Sequence, residues 1–266
     1  MKIDRIISSV NSNPTYLTFA PAVCEIWEKI SGIKPTIAFI RSGNSYSDYI
    51  VSQYLKDLDV IEFDPIKTID SGIQSKITRM YLASSLSGNN IITDIDMIPL
   101  SVNFLKCYDL VPDDHLAKFG GEHESFQKKP DIGKWPMHGT AASSETFKKI
   151  VNPSNLDYEQ LLQSWRGFPQ DPRSNVYNRF SNFSDESLLK CMFDFWEERN
   201  TKTTEIKRED VDGNYESKSV YGRLCRSSGK AIETEILSKY YECHGPRPFH
   251  EHLDFYKKIT KSLETA

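Results

Sequence analysis

The amino-acid sequence predicts an α/β fold with a mixed, mainly parallel sheet flanked by helices. Strand-like and helix-like segments alternate from Thr15 to Asp96, which is the pattern of βαβ units. The apolar run 90–93 leads directly into two carboxylates, as expected at the carboxyl end of a buried strand. A chain of 266 residues can bury a sizeable core, as one large domain or two closely packed halves.

The first half of the chain supplies most of the predicted strands. These are Tyr16–Ala20, Thr36–Ile40, Val60–Phe63 and the run 90–93. Pro21 opens the first helix, because proline suits the first helical turn, and Gly32 ends it. A second helix runs through Tyr49–Leu55. In the third, apolar residues from Ile73 to Tyr81 recur on one face, and Gly88 closes it.

The second half begins with a long loop and then becomes helical. The segment Val111–Trp135 is rich in Gly, Pro, His and charge, and loops of this length are more often functional than idle. One strand is predicted over Met137–Ala142 and helices over Ser144–Ile150, Asp157–Trp165, Asp185–Arg199 and His250–Leu263. Ser184 is the predicted cap of the third of these helices. The polar run 200–219 is expected to be a surface hairpin or a mobile excursion.

Composition excludes several classes of function. With 33 basic and 37 acidic residues, the net charge of -4 gives no general attraction to nucleic acid or anionic membranes. Met1–Asn13 lacks a signal-peptide core, and no run reaches the ~20 apolar residues of a membrane span. The five cysteines are odd in number and never form C-x-x-C, so neither a disulfide framework nor a zinc ribbon is indicated. A soluble, cytoplasmic protein is expected.

The strongest site prediction is a metal-diphosphate site at Asp94 and Asp96. These carboxylates follow the apolar run, and in open α/β sheets ligands collect at the carboxyl ends of the strands. Two carboxylates can hold a hard divalent cation that bridges phosphate oxygens. The alternative is an acidic strand-to-turn junction, since aspartate is common at turns.

A second cluster lies near the carboxyl terminus, where the segment 242–252 holds three of the six histidines. His244 is a candidate third metal ligand, and an imidazole beside two carboxylates would favour Mn²⁺ over Mg²⁺. Arg247 would offer its guanidinium to a diphosphate oxygen. The alternatives are a turn that caps the final helix, or a separate zinc site whose spacing matches no standard pattern.

The other residues that are candidates for binding a nucleotide precede the metal site in the sequence. Thr18, Phe19 and Ala20, at the end of the first predicted strand, are expected to meet a nucleotide base. Lys76 and Arg79 lie three residues apart on one helix, so they share a face from which they would reach phosphate or ribose. A solvated helix face explains the same pair.

Catalytic and acceptor candidates follow the metal site. Asp185 and Glu186 form a carboxylate pair suited to deprotonating an acceptor hydroxyl or to holding an acceptor sugar, although a helix start explains them equally. The candidate aromatic platforms for the acceptor are Trp135 and Trp165, with Phe126 and Tyr177. Core packing is the alternative for each.

The order of these motifs resembles that of the GT-A glycosyltransferases, which have a Rossmann-like nucleotide-binding fold. The resemblance covers most of residues 15–255 and implies one GT-A domain over 1–266, with a nucleotide-sugar half at 1–100 and an acceptor half at 101–266. Segment 183–187 looks like the Asp-Glu-Ser segment of the blood-group-type transferases. Segment 244–248 looks like the His-Gly turn of the glycogenin-like group, with Arg247 one position earlier than the usual lysine. Small soluble members of this fold also occur in large algal DNA viruses.

This resemblance implies transfer of a sugar from a nucleotide-sugar donor, with UDP favoured, to a hydroxyl of a glycan or glycoconjugate acceptor. In the family the D-x-D aspartates, here Asp94 and Asp96, coordinate Mn²⁺ or Mg²⁺ on the diphosphate. If the reaction inverts, Asp185 or Glu186 takes the proton of the acceptor. If it retains, the same group holds the acceptor or backs the donor face.

Two other classes of protein stay open. A phosphohydrolase of the haloacid-dehalogenase type would use Asp94 as nucleophile and Asp96 as acid/base. The chain has Met97-Ile98 where that family usually carries Gly-Thr, and no later Gly-Asp-x-x-x-Asp. A non-catalytic nucleotide-sugar-binding protein is the third possibility, because metal ligands alone would bind a donor without transferring it.

Overall fold

A computed structural model of the chain describes residues 1–101, 103–120, 137–165, 184–207, 223–224, 242–247 and 249–264. The strands are β1 (Arg5–Asn11), β2 (Thr36–Ile40), β3 (Asp59–Phe63), β4 (Asn89–Ile92), β5 (Met97–Pro99), β6 (Leu116–Gly120), β7 (Thr140–Ser143), β8 (Thr203–Lys207), β9 (Arg223–Leu224) and β10 (Glu242–His244). The helices are α1 (Pro14–Leu17), α2 (Ala20–Ser31), α3 (Ser45–Tyr54), α4 (Ser71–Ser85), α5 (Asn103–Lys106), α6 (Ser144–Val151), α7 (Tyr158–Trp165), α8 (Ser184–Phe195) and α9 (Leu253–Glu264). Short 3-10 turns lie at Cys107–Leu110 and Phe249–His252.

A mixed, mainly parallel sheet organises the molecule, as predicted. Its seven strands have the order β3-β2-β1-β4-β7-β6-β8. The pairs β1–β2, β2–β3, β1–β4 and β6–β8 are parallel, whereas β7 is antiparallel to both β4 and β6. A smaller sheet has the order β5-β10-β9, with β10 antiparallel to β5. The predicted α/β class is therefore confirmed.

The connections of the large sheet change direction between β1 and β4. From β1 the chain passes outward to β2 and β3, and it then returns through α4 to place β4 on the other side of β1. Open α/β sheets bind ligands in the crevice outside the strand carboxyl ends at such a switch point. That crevice lies here between Asn11 and Ile92, the last residues of β1 and β4.

Helices cover both faces of the sheet because neighbouring side chains of a strand point to opposite faces. In β1, Ile6 belongs to the core cluster that contains Trp27 of α2, and Ile7 belongs to the cluster that contains Met80 of α4. Asp70 caps α4 by accepting hydrogen bonds from the first backbone N–H groups of the helix. The central strands are therefore buried on both sides, and ligands can reach the sheet at its edge.

The strand predicted over Tyr16–Ala20 is wrong, and the first strand lies earlier, at Arg5–Asn11. Asn13 accepts a hydrogen bond from the backbone N–H of Thr15, and Pro14 occupies the first helical turn, so a helix begins where a strand was expected. The apolar residues of this stretch are buried where two helices meet, and they do not form a strand of the sheet.

Other predicted elements match within a few residues, and β2 matches at both ends. Besides β1, the described strands that were not predicted are β5, β6, β8, β9 and β10. Of these, β6 lies inside the expected loop and β8 inside the expected surface excursion, and they pair with each other in parallel. Helix α8 ends at Phe195, before the predicted Arg199, and α9 begins at Leu253 after a 3-10 turn. Within the described ranges, no helix has the length and apolar character needed to cross a membrane.

Candidate active site

A cleft of about 460 Å³ opens at the carboxyl edge of β1 and β4. Its walls come from the end of β1, from α1, from the first three turns of α4, from the residues after β4, from the start of α8 and from the turn at the end of β10. The predicted site residues that line it are Lys76, Arg79, Asp94, Asp96, Asp185, Glu186, His244 and Arg247. Segments far apart in the sequence thus meet at the switch point of the sheet.

The residues predicted to meet the nucleotide base are placed elsewhere. Phe19 and Ala20 are fully buried, and Thr18 does not line the cleft. Phe19 directly precedes α2 instead of ending a strand, and its ring packs against that of Phe249, with centroids 5.4 Å apart. Tyr16 of α1 lines the cleft instead. The Asn-Pro cap of α1 was the sequence signal that would have revealed this arrangement.

The predicted acceptor platforms do not reach this cleft among the described residues. Trp165 lies on α7, in a core cluster, and borders a second cleft of about 760 Å³ between α6, α7 and α8. The alternative considered for this residue, core packing, describes it better. Trp135, Phe126 and Tyr177 lie outside the described residues.

Arg79 joins two carboxylates that come from different parts of the chain. Its Nη1 donates to Asp94 Oδ1 at 2.5 Å and to the Thr93 carbonyl at 2.7 Å, and its Nη2 donates to Asp185 Oδ2 at 2.7 Å. Arg79 is 3% exposed, and Asp185 is 5% exposed. Burial is the largest influence on the Arg79 pKa and acts to lower it, but the two carboxylates outweigh burial and raise the pKa. Arg79 is therefore a permanently charged bridge and not a solvated surface residue.

Asp94 is ionised despite its surroundings. Partial loss of hydration is the largest influence on its pKa and raises it, and the neighbouring Asp96 acts in the same direction. The charge of Arg79, its hydrogen bond and the charge of His138 lower the pKa, and the net result is below the ordinary value. The Asp94 side chain is 41% exposed, so an ionised carboxylate faces the cleft.

Asp96 is held by two residues from the far end of the sequence. His244 Nε2 lies 3.2 Å from Asp96 Oδ2, and Arg247 Nε donates to the same oxygen at 3.0 Å, with a second contact from Nη2. The backbone N–H of Gly245 donates to the Asp96 carbonyl at 2.7 Å. Burial raises the Asp96 pKa, but His244 and then Arg247 outweigh burial and hold the pKa well below its usual range.

Close packing fixes the turn that carries these two residues. A Cβ added to Gly245 would lie 2.6 Å from the Tyr256 hydroxyl and 2.8 Å from Phe19 Cε1, so only glycine fits there without rearrangement. Arg247 Nη1 donates to the Tyr16 hydroxyl at 2.8 Å, and the guanidinium lies 4.4 Å from the centroid of that ring. The turn is thus attached to both α1 and α9.

The chemistry of the site suits a hard divalent cation, although the candidate ligands do not surround one point. Asp94 and Asp96 offer oxygen atoms and His244 offers nitrogen, a set that manganese accepts well. Among the described residues, no group of three His, Cys, Asp or Glu side chains is close enough to hold a metal as it stands. Each carboxylate is instead neutralised by an arginine, and a bound cation would replace part of that pairing.

Comparisons with known proteins give weak overall similarities. No protein-family model matches the sequence, and no curated protein matches it. A galactosyltransferase, LgtC, in complex with donor and acceptor sugar analogs is 10% identical with a TM-score of 0.46, covering 98% of this chain and 97% of that one. Mouse xyloside xylosyltransferase 1 in its apo form is 10% identical with a TM-score of 0.43, covering 91% and 96%. The bifunctional WbbM is 9% identical with a TM-score of 0.45, covering 98% and 50%. Function is therefore inferred from the residues of the cleft.

Proposed function

We propose that the protein is a metal-dependent glycosyltransferase of the GT-A type. It would transfer a sugar from a nucleotide-sugar donor, with UDP the favoured nucleotide, to a hydroxyl of a glycan or glycoconjugate acceptor. The observation that carries this proposal is the position of Asp94 and Asp96 at the switch point of the sheet, with His244 and Arg247 brought onto Asp96 from the other end of the chain. Carboxylates beside cationic side chains suit a diphosphate bound with a cation.

Asp94 and Asp96 would hold the cation, with His244 as the nitrogen ligand that favours Mn²⁺ over Mg²⁺. When bound, the cation would neutralise the charge that develops on the departing diphosphate. Arg247, which pairs with Asp96 in the structure, would turn its guanidinium to a diphosphate oxygen. Lys76 lines the same cleft from α4 and would add positive charge.

The end of β1 would receive the nucleoside. Asn11, Asn13 and Tyr16 line the cleft there, and they offer amide groups and an aromatic ring beside the diphosphate position. These residues replace Thr18, Phe19 and Ala20 in the proposal. Amide donors and acceptors recognise a base edge or ribose hydroxyls, and the ring gives an apolar surface for the base.

The two candidate catalytic carboxylates would have different roles. Asp185 is buried and bonded to Arg79, so it would position Arg79. Glu186 is partly buried and lines the cleft. In an inverting reaction the acceptor oxygen bonds to the anomeric carbon, the bond from that carbon to the diphosphate breaks, and the acceptor proton passes to the Glu186 carboxylate. In a retaining reaction Glu186 would hold the acceptor.

Thermal unfolding with a panel of nucleoside diphosphates and nucleotide sugars tests the proposal, with Mn²⁺ and with chelator for each compound. A ligand at a hundred times its dissociation constant adds about 2.7 kcal/mol of stability. We expect stabilisation by one nucleotide, dependent on Mn²⁺, and release of the nucleoside diphosphate when an acceptor is supplied. Binding without release would indicate a non-catalytic binding protein. Stabilisation by beryllofluoride with Mg²⁺, without any nucleotide effect, would indicate a phosphohydrolase.

Glu186→Gln is expected to lower the rate of transfer about a hundredfold or more and to leave donor affinity within about twofold, because general-base catalysis supplies about 10²–10⁴ in rate. Single-turnover transfer and calorimetric titration with the nucleotide measure the two effects. Asp185→Asn serves for comparison, since it disturbs Arg79 and should also lower stability and donor affinity. Loss of donor affinity in Glu186→Gln equal to its loss of rate would make Glu186 a donor-binding residue.

A further inference from the structure

Three buried polar side chains form a hydrogen-bonded chain that the proposed mechanism does not use. Thr93 Oγ1 lies 2.7 Å from His138 Nδ1, and His138 Nε2 contacts Glu242 Oε2. All three residues are buried, with exposures of 1%, 4% and 2% respectively. None of them lines the cleft. Groups of this kind are costly to bury, so their mutual contacts must be maintained in the folded protein.

The imidazole of His138, between Thr93 and Glu242, is held in one orientation. The ring of Phe104 stacks on it, with centroids 5.6 Å apart and an interplanar angle of 26°. The backbone just after His138 is also held, because Gly139 donates from its N–H to the Ile92 carbonyl and accepts from the Tyr108 hydroxyl at 2.6 Å. These contacts hold His138 in place beside the end of β4.

The two outer residues of this hydrogen-bonded series, Thr93 and Glu242, lie beside two parts of the candidate site. Thr93 directly precedes Asp94 at the end of β4, and Glu242 begins β10, two residues before His244. The imidazole of His138 therefore ties the strand end that carries the D-x-D carboxylates to the strand that carries the His244 turn.

Such a tie matters because β10 is only three residues long. In its register with β5, His244 pairs with Met97 and Glu242 pairs with Pro99. A slip of one residue turns every side chain of a strand to the other face, and only three residue pairs between β10 and β5 oppose such a slip. A slip of β10 would turn His244 away from the cleft, and the His138–Glu242 contact opposes that slip.

We propose that His138 and Glu242 are positioning residues, which hold β10 in the register that keeps His244 and Arg247 on Asp96. This role rests on the proposed function, since the residues that it positions are those assigned to the cation and the diphosphate. His138 and Glu242 would contact neither the cation nor the diphosphate, and they would act through Thr93 and through β10. Outer partners of metal ligands typically change metal affinity by about 10–100-fold when they are replaced.

The test measures Mn²⁺ alone, by the loss of the free-ion electron paramagnetic resonance signal, together with the unfolding temperature of each variant. Glu242→Gln and His138→Asn are expected to weaken Mn²⁺ binding by about tenfold or more in the folded protein. His138→Gln should restore much of the affinity lost in His138→Asn, because its longer amide takes the place of Nε2 and still reaches Glu242. A residue that only filled space would not show this difference.

Tyr158→Phe is the matched control. Its hydroxyl bonds Thr78 Oγ1 at 2.7 Å and Gln74 Nε2 at 2.9 Å, so the variant removes partly buried hydrogen bonds on α4 without contact to β4 or β10. It should lower the unfolding temperature and leave Mn²⁺ affinity unchanged. The pair His138→Leu with Glu242→Met removes both polar groups at once, so it leaves no unpaired charge, and it is expected to fold with weakened Mn²⁺ binding.

Three outcomes can be told apart. Weaker Mn²⁺ binding in the His138 and Glu242 variants, with normal binding in Tyr158→Phe, supports the positioning role. Mn²⁺ affinity that stays at the wild-type value in every folded variant overturns that role and leaves the proposed function intact. A wild-type protein that binds no Mn²⁺ overturns the proposed function, and the positioning role with it.

Discussion

Asp94→Ala is expected to abolish Mn²⁺-dependent nucleotide binding and to lower transfer by about a hundredfold or more. The carboxylate faces the cleft and would be one of two that hold the cation, and loss of one preorganised group that stabilises the leaving charge typically costs about 10²–10³ in rate. Folding should be little affected, because Arg79 keeps Asp185 as a partner. Transfer assays and nucleotide-dependent unfolding shifts measure the two losses.

Glu62→Ala is the control for Asp94→Ala. Glu62 is also paired with an arginine, because Arg41 Nε donates a hydrogen bond to it at 2.8 Å. Glu62 lies on β3, and neither residue lines the cleft. Nucleotide binding in this variant should match that of the wild type. Normal activity in Asp94→Ala would remove the metal site from this edge of the sheet.

Arg79→Leu is expected to lower the free energy of unfolding by about 3–5 kcal/mol, the usual cost of breaking a buried ion pair from one side. The loss of Arg79 leaves Asp185, which is 5% exposed, without its cationic partner. Asp94 suffers less because it is partly exposed and can regain water. Urea denaturation of the ligand-free protein measures the change.

Lys76→Leu provides the comparison for Arg79→Leu, because Lys76 lies one turn earlier on the same helix and is only partly buried. Its replacement should change stability by less than about 1 kcal/mol. Combining Arg79→Leu with Asp185→Leu should recover part of the loss, since both charges then leave the interior. Equal stability of the two single variants would show that Arg79 is not the bridge described above.

The sequence predicted the centre of the site because its signals are local. The run before Asp94 and the run Thr36–Ile40 are both mainly apolar and rich in β-branched residues, so both are predicted as strands without tertiary information. Strand β1 was missed because Ser8 and Ser9 interrupt its apolar pattern. Both serines are inside the sheet, where neighbouring strands rather than side-chain hydrophobicity determine the structure.

The sequence could not predict which polar side chains are buried or which residues far apart in the chain form contacts. The spacing of Lys76 and Arg79 on a helix gives their relative direction, but the burial of Arg79 depends on Asp185, which is 106 positions away. No local pattern in the sequence identified His138 as a site residue, because its partner Glu242 is 104 positions away. His244 and Arg247 were found because a Gly-Pro turn with a basic residue is visible locally, although their contact with Asp96 is not.

A ribosome releases Asp96 long before it releases His244, since 148 positions separate them. At about 5–20 residues per second, the interval between the two is roughly 7–30 s. During that time β1 to β4 can pair, because all of their residues have already been made, but Asp96 has neither the imidazole nor the guanidinium that accompany it in the finished protein. A nascent chain that stalls before β10 therefore contains the D-x-D carboxylates without the groups that complete them.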